Sequence, residues 1–253
     1  YTTLFRSLDQ KLWELPLCYH EIDSVIESAQ NGYHQWRKTP IEERINCLKR
    51  YQEQLVVRKD EIAEVISLET GKPLWESKTE AAALISKVNI SISTSLVRIQ
   101  KKEFEEIMPH TKGTINYRPL GPCLIIGPFN FPCHLANGQI VNALLAGNSI
   151  IFKPSEKTAY SGQMIIDCFH EASFPKGVIN LIQGNGEYAS RMIKEKSIKG
   201  IFFTGSKEVG QKILSITHKD LSKLVALELG GKNTSIIHHD AHLEAALNEL
   251  IKA

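Results

Sequence analysis

Over the first hundred residues the apolar positions recur at helical spacing. Ile22, Val25, Ile26, Ala29 and Tyr33 share one face of a segment that runs from Glu21 to Arg37. Thr39-Pro40 opens a second segment, with proline at a first helical position and Glu42 and Glu43 in the first turn. Leu48, Tyr51, Leu55 and Val56 continue its stripe. A third helix is expected from Lys59 to Glu69, stopping before Gly71, where the chain needs a residue free to turn. A fourth begins near Lys72-Pro73 and is expected to reach about Gln100. Its patch Ala81-Ala82-Ala83 permits close packing.

The texture changes after the charged stretch Lys101 to Glu106, which reads as a solvated connector. Short apolar runs now alternate with amphipathic ones. Strands are expected at Thr114–Arg118, Cys123–Ile126, Ser149–Phe152, Val178–Leu181, Gly200–Phe203, Leu224–Leu229 and Thr234–Ile237. Helices are expected near 133–146, 158–172, 187–195, 207–216 and 241–252. Strands separated by helices imply βαβ units and a parallel sheet flanked by helices, an α/β fold behind an N-terminal helical region.

Composition narrows the class further. The chain of 253 residues is 42% hydrophobic and 23% charged, ordinary for a globular protein. A net charge of +2 implies no nucleic-acid partner and no anionic membrane surface. No uninterrupted apolar run approaches the ~18 residues of a membrane span, and the start shows no signal-peptide pattern. Cys18, Cys47, Cys123, Cys133 and Cys168 are scattered and form no Cys-x-x-Cys, which reads as a reduced, cytoplasmic protein rather than a disulfide scaffold or zinc site. His238-His239-x-x-His242 has a spacing that two ligands could use, but it sits at an expected strand end, so no metal is expected.

In open α/β sheets ligands bind beyond the carboxyl ends of the strands, and three motifs fall there. Gly205-Ser206-Lys207-Glu208-Val209-Gly210 follows the strand ending in Phe203. Glycine allows a tight turn, and the helix N-terminus offers backbone N–H groups and a positive dipole to a pyrophosphate. Ser206 suits a plain helix N-cap equally well. Gly184-Asn185-Gly186-Glu187-Tyr188-Ala189 fits Gly-x-Gly-x-x-Gly/Ala, a weak signal that a simple turn also explains. Lys153-Pro154-Ser155-Glu156 follows the strand at 149–152. An acid in that place can accept from both ribose hydroxyls and would repel a 2′-phosphate, so Glu156 favours NAD over NADP, with Lys153 approaching the same ribose. Ser155-Glu156 could also simply start the next helix. Finally, Glu228 lies in the apolar run Leu224–Leu229, where a carboxylate is costly without a task; partial burial is expected to raise its pKa toward that of a general base.

Gly127-Pro128-Phe129-Asn130-Phe131-Pro132, then the motifs at 153–156, at 203–206 and at Leu227-Glu228-Leu229-Gly230-Gly231, appear in this order. Together they resemble the NAD(P)-dependent aldehyde dehydrogenase superfamily. The stretches 130–141 and 143–156 look most like its succinylglutamate-semialdehyde branch, and Glu69-Thr70-Gly71-Lys72-Pro73 fits that branch too. The resemblance implies a Rossmann-like NAD-binding domain and oxidation of a small-molecule semialdehyde to its acid in arginine catabolism. It implies that Asn130 is the oxyanion donor and Glu228 the general base. Phe129 would line the cofactor or substrate channel, and Gly230 would let the backbone approach the cofactor. The glycine loop at Gly186 would lie beside the cofactor, and the 205–210 loop would be the main phosphate clamp. The nucleophilic cysteine of the family is expected beyond Ala253, outside this chain, leaving the five cysteines present as incidental thiols and this chain inactive alone.

The expected organisation is N-terminal helices over 1–106, an oligomerisation ribbon over 107–122 that implies a homo-oligomer, and a dinucleotide-binding core over 123–253. Two other readings stay open on the residues: a non-catalytic NAD-binding module or remnant, and a fragment that associates through an exposed strand edge.

Overall fold

The computed structural model describes residues 2–5, 11–15 and 21–252. A short hairpin comes first, β1 (Thr2–Phe5) and β2 (Lys11–Leu15), followed by four helices: α1 (Glu21–Trp36), α2 (Ile41–Val57), α3 (Lys59–Thr70) and α4 (Leu74–Ile90). A ribbon follows, β3 (Lys102–Met108) and β4 (Thr111–Ile115). The core then runs β5 (Cys123–Ile126), α5 (His134–Leu145), β6 (Ile150–Lys153), α6 (Ala159–Glu171), β7 (Ile179–Leu181), α7 (Gly186–Ile193), β8 (Gly200–Gly205), α8 (Lys207–Thr217), β9 (Leu224–Leu229) and α9 (Leu243–Lys252).

The core strands form one parallel sheet in the order β7-β6-β5-β8-β9. The chain winds outward from β5 to β7, returns past β5 to β8, and winds outward again. The reversal leaves a crevice between the carboxyl ends of β5 and β8, the switch point where such sheets bind ligands. Side chains alternate across the central strands. Cys123, Ile125, Ile150 and Phe152 enter an apolar layer with α2, α3, α4, α5 and α6. Leu124, Ile126, Ile151, Ile201 and Phe203 enter another with α1, α7 and α8. Two apolar faces explain why these strands read as continuous apolar runs instead of alternating ones.

Contacts of high specificity dock the N-terminal helices on this core. A Cβ on Gly32 of α1 would lie 2.1 Å from the Gly177 carbonyl carbon, so backbone meets backbone there. Trp36 donates its indole N–H to the Leu144 carbonyl at 2.9 Å, and the buried Tyr51 hydroxyl donates to Asn137 at 2.8 Å. Asn148 accepts from the Leu120 and Gly121 amides, fixing the turn from ribbon into sheet. Gly71 closes α3 at φ 77°, as a left-handed C-terminal residue.

Several expectations are corrected. The hairpin β1–β2 was not foreseen. The stretch Lys101–Glu106 is mostly strand, because β4 returns across the turn at His110 and supplies the ladder; both faces of β3 meet solvent, which its charges suit. The ribbon is therefore Lys102–Ile115 rather than 107–122, and its second strand ends before Tyr117. The helix expected to reach Gln100 is regular only to Ile90, then loosens into a π turn (Ser91–Ser95) and a 3-10 turn (Leu96–Ile99). Residues 234–237 form no strand, since no neighbouring strand offers them a ladder among the described residues. Leu74–Ile99, taken as one helix, is long and apolar enough by composition to cross a membrane, which counting uninterrupted apolar runs missed. In this fold Ala81, Leu84 and Val88 of that helix are buried in the core.

Candidate functional site

A cavity of about 1730 Å³ opens at the switch point and extends along α5. Its walls come from the ends of three strands. After β5, Gly127, Pro128, Phe129 and Asn130 form one wall; after β6, Lys153, Ser155 and Glu156; after β8, Gly205, Ser206 and Val209. Phe203, Gly186, Glu228 and Gly230 line it as well. Lys207, Glu208 and Gly210 do not. The turn of α8 carries the first two away from the mouth, and Gly210 is buried against β9, where a Cβ would come within 2.8 Å of Leu229.

The Asn130 loop is held by its prolines and from below. Pro128 and Pro132 are buried while Phe129 and Asn130 are exposed. Glu80 of α4, 3% exposed, accepts from the backbone N–H groups of Cys133 (3.0 Å) and His134 (3.1 Å), satisfying donors at the start of α5. Lys72 lies 3.4 Å from Glu80 and 3.2 Å from Glu76, with its ammonium over the Phe131 ring. Burial raises the Glu80 pKa against those hydrogen bonds.

A second glutamate does the same for α6. Glu69 is fully buried and accepts from the Tyr160 and Ser161 amides, the Ser161 hydroxyl and the Trp13 indole. Burial pushes its pKa up to about 7. The helices that follow the Asn130 loop and the Lys153–Glu156 loop are thus each capped by a carboxylate from the N-terminal helices. Reading by strand ends missed both glutamates, although Glu69 sits in a stretch the sequence had singled out.

In the 153–156 loop, Lys153 is 3% exposed and turns its ammonium back to the Pro154 carbonyl at 2.7 Å, 3.7 Å from Glu156. Burial lowers its pKa. Glu156 is exposed, and Ser155 accepts from the Lys157 amide. Ser206 is the N-cap of α8, accepting from the Val209 amide at 3.3 Å. Its O–H also reaches the Glu208 carboxylate, so a phosphate in the cavity would have to compete for it. Asn185 caps α7 in the same way, and a Cβ on Gly205 would strike the Phe203 ring at 2.5 Å. Gly186 and Gly230 face open space. Gln139 of α5 donates to Thr204 at 3.1 Å, tying the two sides of the crevice together.

Glu228 departs from expectation. It is exposed, not partly buried, because β9 is the edge strand and α8 packs against its Leu227 and Leu229 side chains, on the face opposite Glu228. The thiols fare as expected: Cys47, Cys123, Cys133 and Cys168 are free and buried. Burial pushes Cys123 and Cys168 up to about 12, and Cys47 and Cys133 upward. None is a ready thiolate. Cys18 lies outside the described residues. Ligand atoms of His238, His239 and Asp240 lie within 4.8 Å of one another on the surface. His242 instead accepts from the Ala245 amide at the start of α9.

These features define a crevice at the switch point of the sheet, carrying an amide and a carboxylate at its mouth. Residues 8–253 match the aldehyde dehydrogenase family, and the chain belongs to it. It is 37% identical over 237 residues to an N-succinylglutamate 5-semialdehyde dehydrogenase of Vibrio cholerae, covering 92% of this chain and 48% of that protein. A protein of the same name from Novosphingobium aromaticivorans is 35% identical over 233 residues, covering 92% and 49%. The chain spans about half the length of these curated relatives. Among solved structures it superposes on methylmalonate-semialdehyde dehydrogenase from Oceanimonas doudoroffii with a TM-score of 0.91 at 26% identity, covering 100% of this chain and 51% of that one. It also superposes on an NADP-dependent glyceraldehyde-3-phosphate dehydrogenase from Bacillus halodurans complexed with NADP, with a TM-score of 0.89 at 27% identity, covering 99% and 53%.

Proposed function

We propose that these residues form the cofactor-binding half of an NAD-dependent dehydrogenase that oxidises a semialdehyde, N-succinylglutamate 5-semialdehyde, to its acid in arginine catabolism. The observation that carries this reading is the meeting of Asn130, Glu156, Ser206 and Glu228 on one cavity at the switch point. A dinucleotide fits the residues present. The start of α8, and the Ser206 hydroxyl once released from Glu208, offer donors to a pyrophosphate. Glu156 can accept from ribose hydroxyls, and the open space at Gly186 and Gly230 admits a close ligand. When bound, the nicotinamide cofactor supplies the hydride acceptor.

The chain's own residues do the rest. The Asn130 amide donates to the aldehyde oxygen as it gains negative charge, and a clamped loop reduces the reorganisation this needs. Glu228, reached by solvent, takes a proton from water or from the attacking thiol. That thiol comes from outside the four described free cysteines. The net change adds water to the aldehyde carbon, passes that carbon's one hydrogen to the cofactor as hydride, and releases a proton from the oxygen of the added water. A titration of NAD and NADP tests the cofactor half. Saturable binding is expected, tighter for NAD, with the preference reduced in Glu156→Ala; equal affinity for both in the wild type refutes the assignment of Glu156. In the whole protein, Glu228→Gln is expected to lower aldehyde-dependent NADH production by at least 100-fold, the usual order for a general base. Full activity in that variant removes Glu228 from the mechanism.

A further inference from the structure

Beyond the crevice the cavity continues along α5, and there its character changes. Near the mouth, cations and carboxylates are mixed, with Lys153, Lys157 and Lys212 beside Glu156 and Glu228. The far arm is lined by Arg37, Arg44, Lys87, Lys101 and Arg118 and by no carboxylate. Three of these cations are engaged. Arg44 donates to the Leu145 and Arg37 carbonyls, Lys101 pairs with Glu103, and Arg37 lies 5.5 Å above the Tyr33 ring. Lys87 and Arg118 have no carboxylate within ion-pair reach among the described residues.

Lys87 is also placed by the backbone opposite it. Its Cε lies 3.0 Å and its Nζ 3.7 Å from where a Cβ on Gly138 would stand. A side chain at Gly138 would crowd the lysine stem where it crosses α5 here. Gly138 is one helical turn, about 6 Å, beyond His134 at the start of α5, and His134 begins the helix directly behind the Asn130 loop. The field of Lys87 is felt at His134, whose pKa is lowered by burial first and by Lys87 second. A half-buried, unpaired ammonium in a carboxylate-free arm is unfavourable on its own and favourable once an anion arrives.

We propose that this arm is an anion subsite, in which Lys87 pairs with a carboxylate on the tail of the aldehyde substrate and so selects acidic semialdehydes over uncharged aldehydes. The proposal rests on the aldehyde dehydrogenase reading for the reaction, but not for the binding. The arm is open enough for a chain of several methylenes and apolar on its sides at Leu96, Ile99 and Leu135. An acidic semialdehyde would place its reactive carbon at Asn130 and its charge at Lys87.

Two measurements test this. First, glutarate, a dicarboxylate without an aldehyde, is titrated calorimetrically into wild type, Lys87→Met and Lys87→Arg. Saturable binding to wild type is expected, weakened roughly 10- to 100-fold by the methionine, the value of one charge-assisted contact, and largely kept by the arginine. No binding to wild type, or equal binding to wild type and Lys87→Met, overturns the proposal. Second, in the whole protein, kcat/KM is compared for glutaric semialdehyde and for pentanal. The loss in Lys87→Met is expected to be larger for the carboxylated aldehyde by the same factor; equal losses overturn the selectivity. If neither aldehyde is oxidised but glutarate binding still depends on Lys87, the subsite stands and the dehydrogenase reading falls.

Discussion

Glu69 sets two opposing effects against each other, and pH separates them. Its carboxyl is fully buried between the N-terminal helices and α6. Burial disfavours the charged form, while four donors from Trp13, Tyr160 and Ser161 favour it. Burial wins by enough to raise the pKa from 4.5 to about 7. A carboxyl whose folded pKa lies above its unfolded value holds more protons folded than unfolded, so its contribution to stability is full below about pH 4.5. That contribution is lost as pH rises to about 7. At 1.36 kcal/mol per pH unit the window is worth about 3 kcal/mol. Glu69→Gln cannot titrate. Urea unfolding of both proteins at pH 5, 6, 7 and 8 cancels the other titrating groups in the difference between them. Wild type is expected to lose most of those ~3 kcal/mol relative to the glutamine variant as pH rises. Parallel stabilities across the range would refute the dominance of burial. A difference that grows in favour of wild type would mean that the four donors hold the carboxylate ionised.

Glu80→Ala removes the acceptor of two N–H groups at the start of α5 and is expected to cost about 2–4 kcal/mol in urea unfolding, with Glu80→Gln milder because one oxygen remains. A cost no greater for alanine than for glutamine would show that the cap is not what stabilises the loop. Gly32→Ala forces a Cβ into the Gly177 backbone and is expected to cost about 3 kcal/mol or more, read as a fall in Tm of roughly 6–12 °C. An unchanged Tm would mean that α1 can slide on the core.

The parts of this fold legible in the sequence are those where one residue pattern has one structural answer. Cys123–Ile126 coincides with β5 because a buried parallel strand reads as an unbroken apolar run, and Leu224–Leu229 coincides with β9, an edge strand whose apolar run is broken only by Glu228. Gly71 stops α3 because a left-handed residue is needed there. The ribbon strand β3 was not legible, since its charges suit a connector and a solvated strand alike, and only β4 decides between them. Most of the residues singled out at strand ends line one cavity, since sheet topology gathers whatever follows β5, β6 and β8, but Lys207, Glu208 and Gly210 do not. Their environments were not legible. The apolar neighbours of Glu228 suggest a buried strand, yet strand order puts β9 at the edge and leaves the carboxylate exposed, and strand order is a long-range property that no local window contains.

The same distinction explains why the supporting glutamates were invisible. Glu69 and Glu80 lie on amphipathic helices, where a glutamate ordinarily faces solvent. They are buried because the starts of α5 and α6 arrive there from 53 and 91 positions further along the chain, each bringing N–H groups that no side chain of its own turn satisfies. Ser206 and Asn185 cap α8 and α7 from within their own loops, leaving those helix starts ready to meet a ligand. The helices behind the Asn130 and Glu156 loops are capped from outside. The proposed oxyanion donor Asn130 and ribose acceptor Glu156 therefore depend on the N-terminal helical layer, whereas the proposed phosphate clamp at α8 does not. Loss of that layer is expected to remove cofactor discrimination at Glu156 and anchoring at Asn130 together, while the α8 N-terminus keeps its geometry.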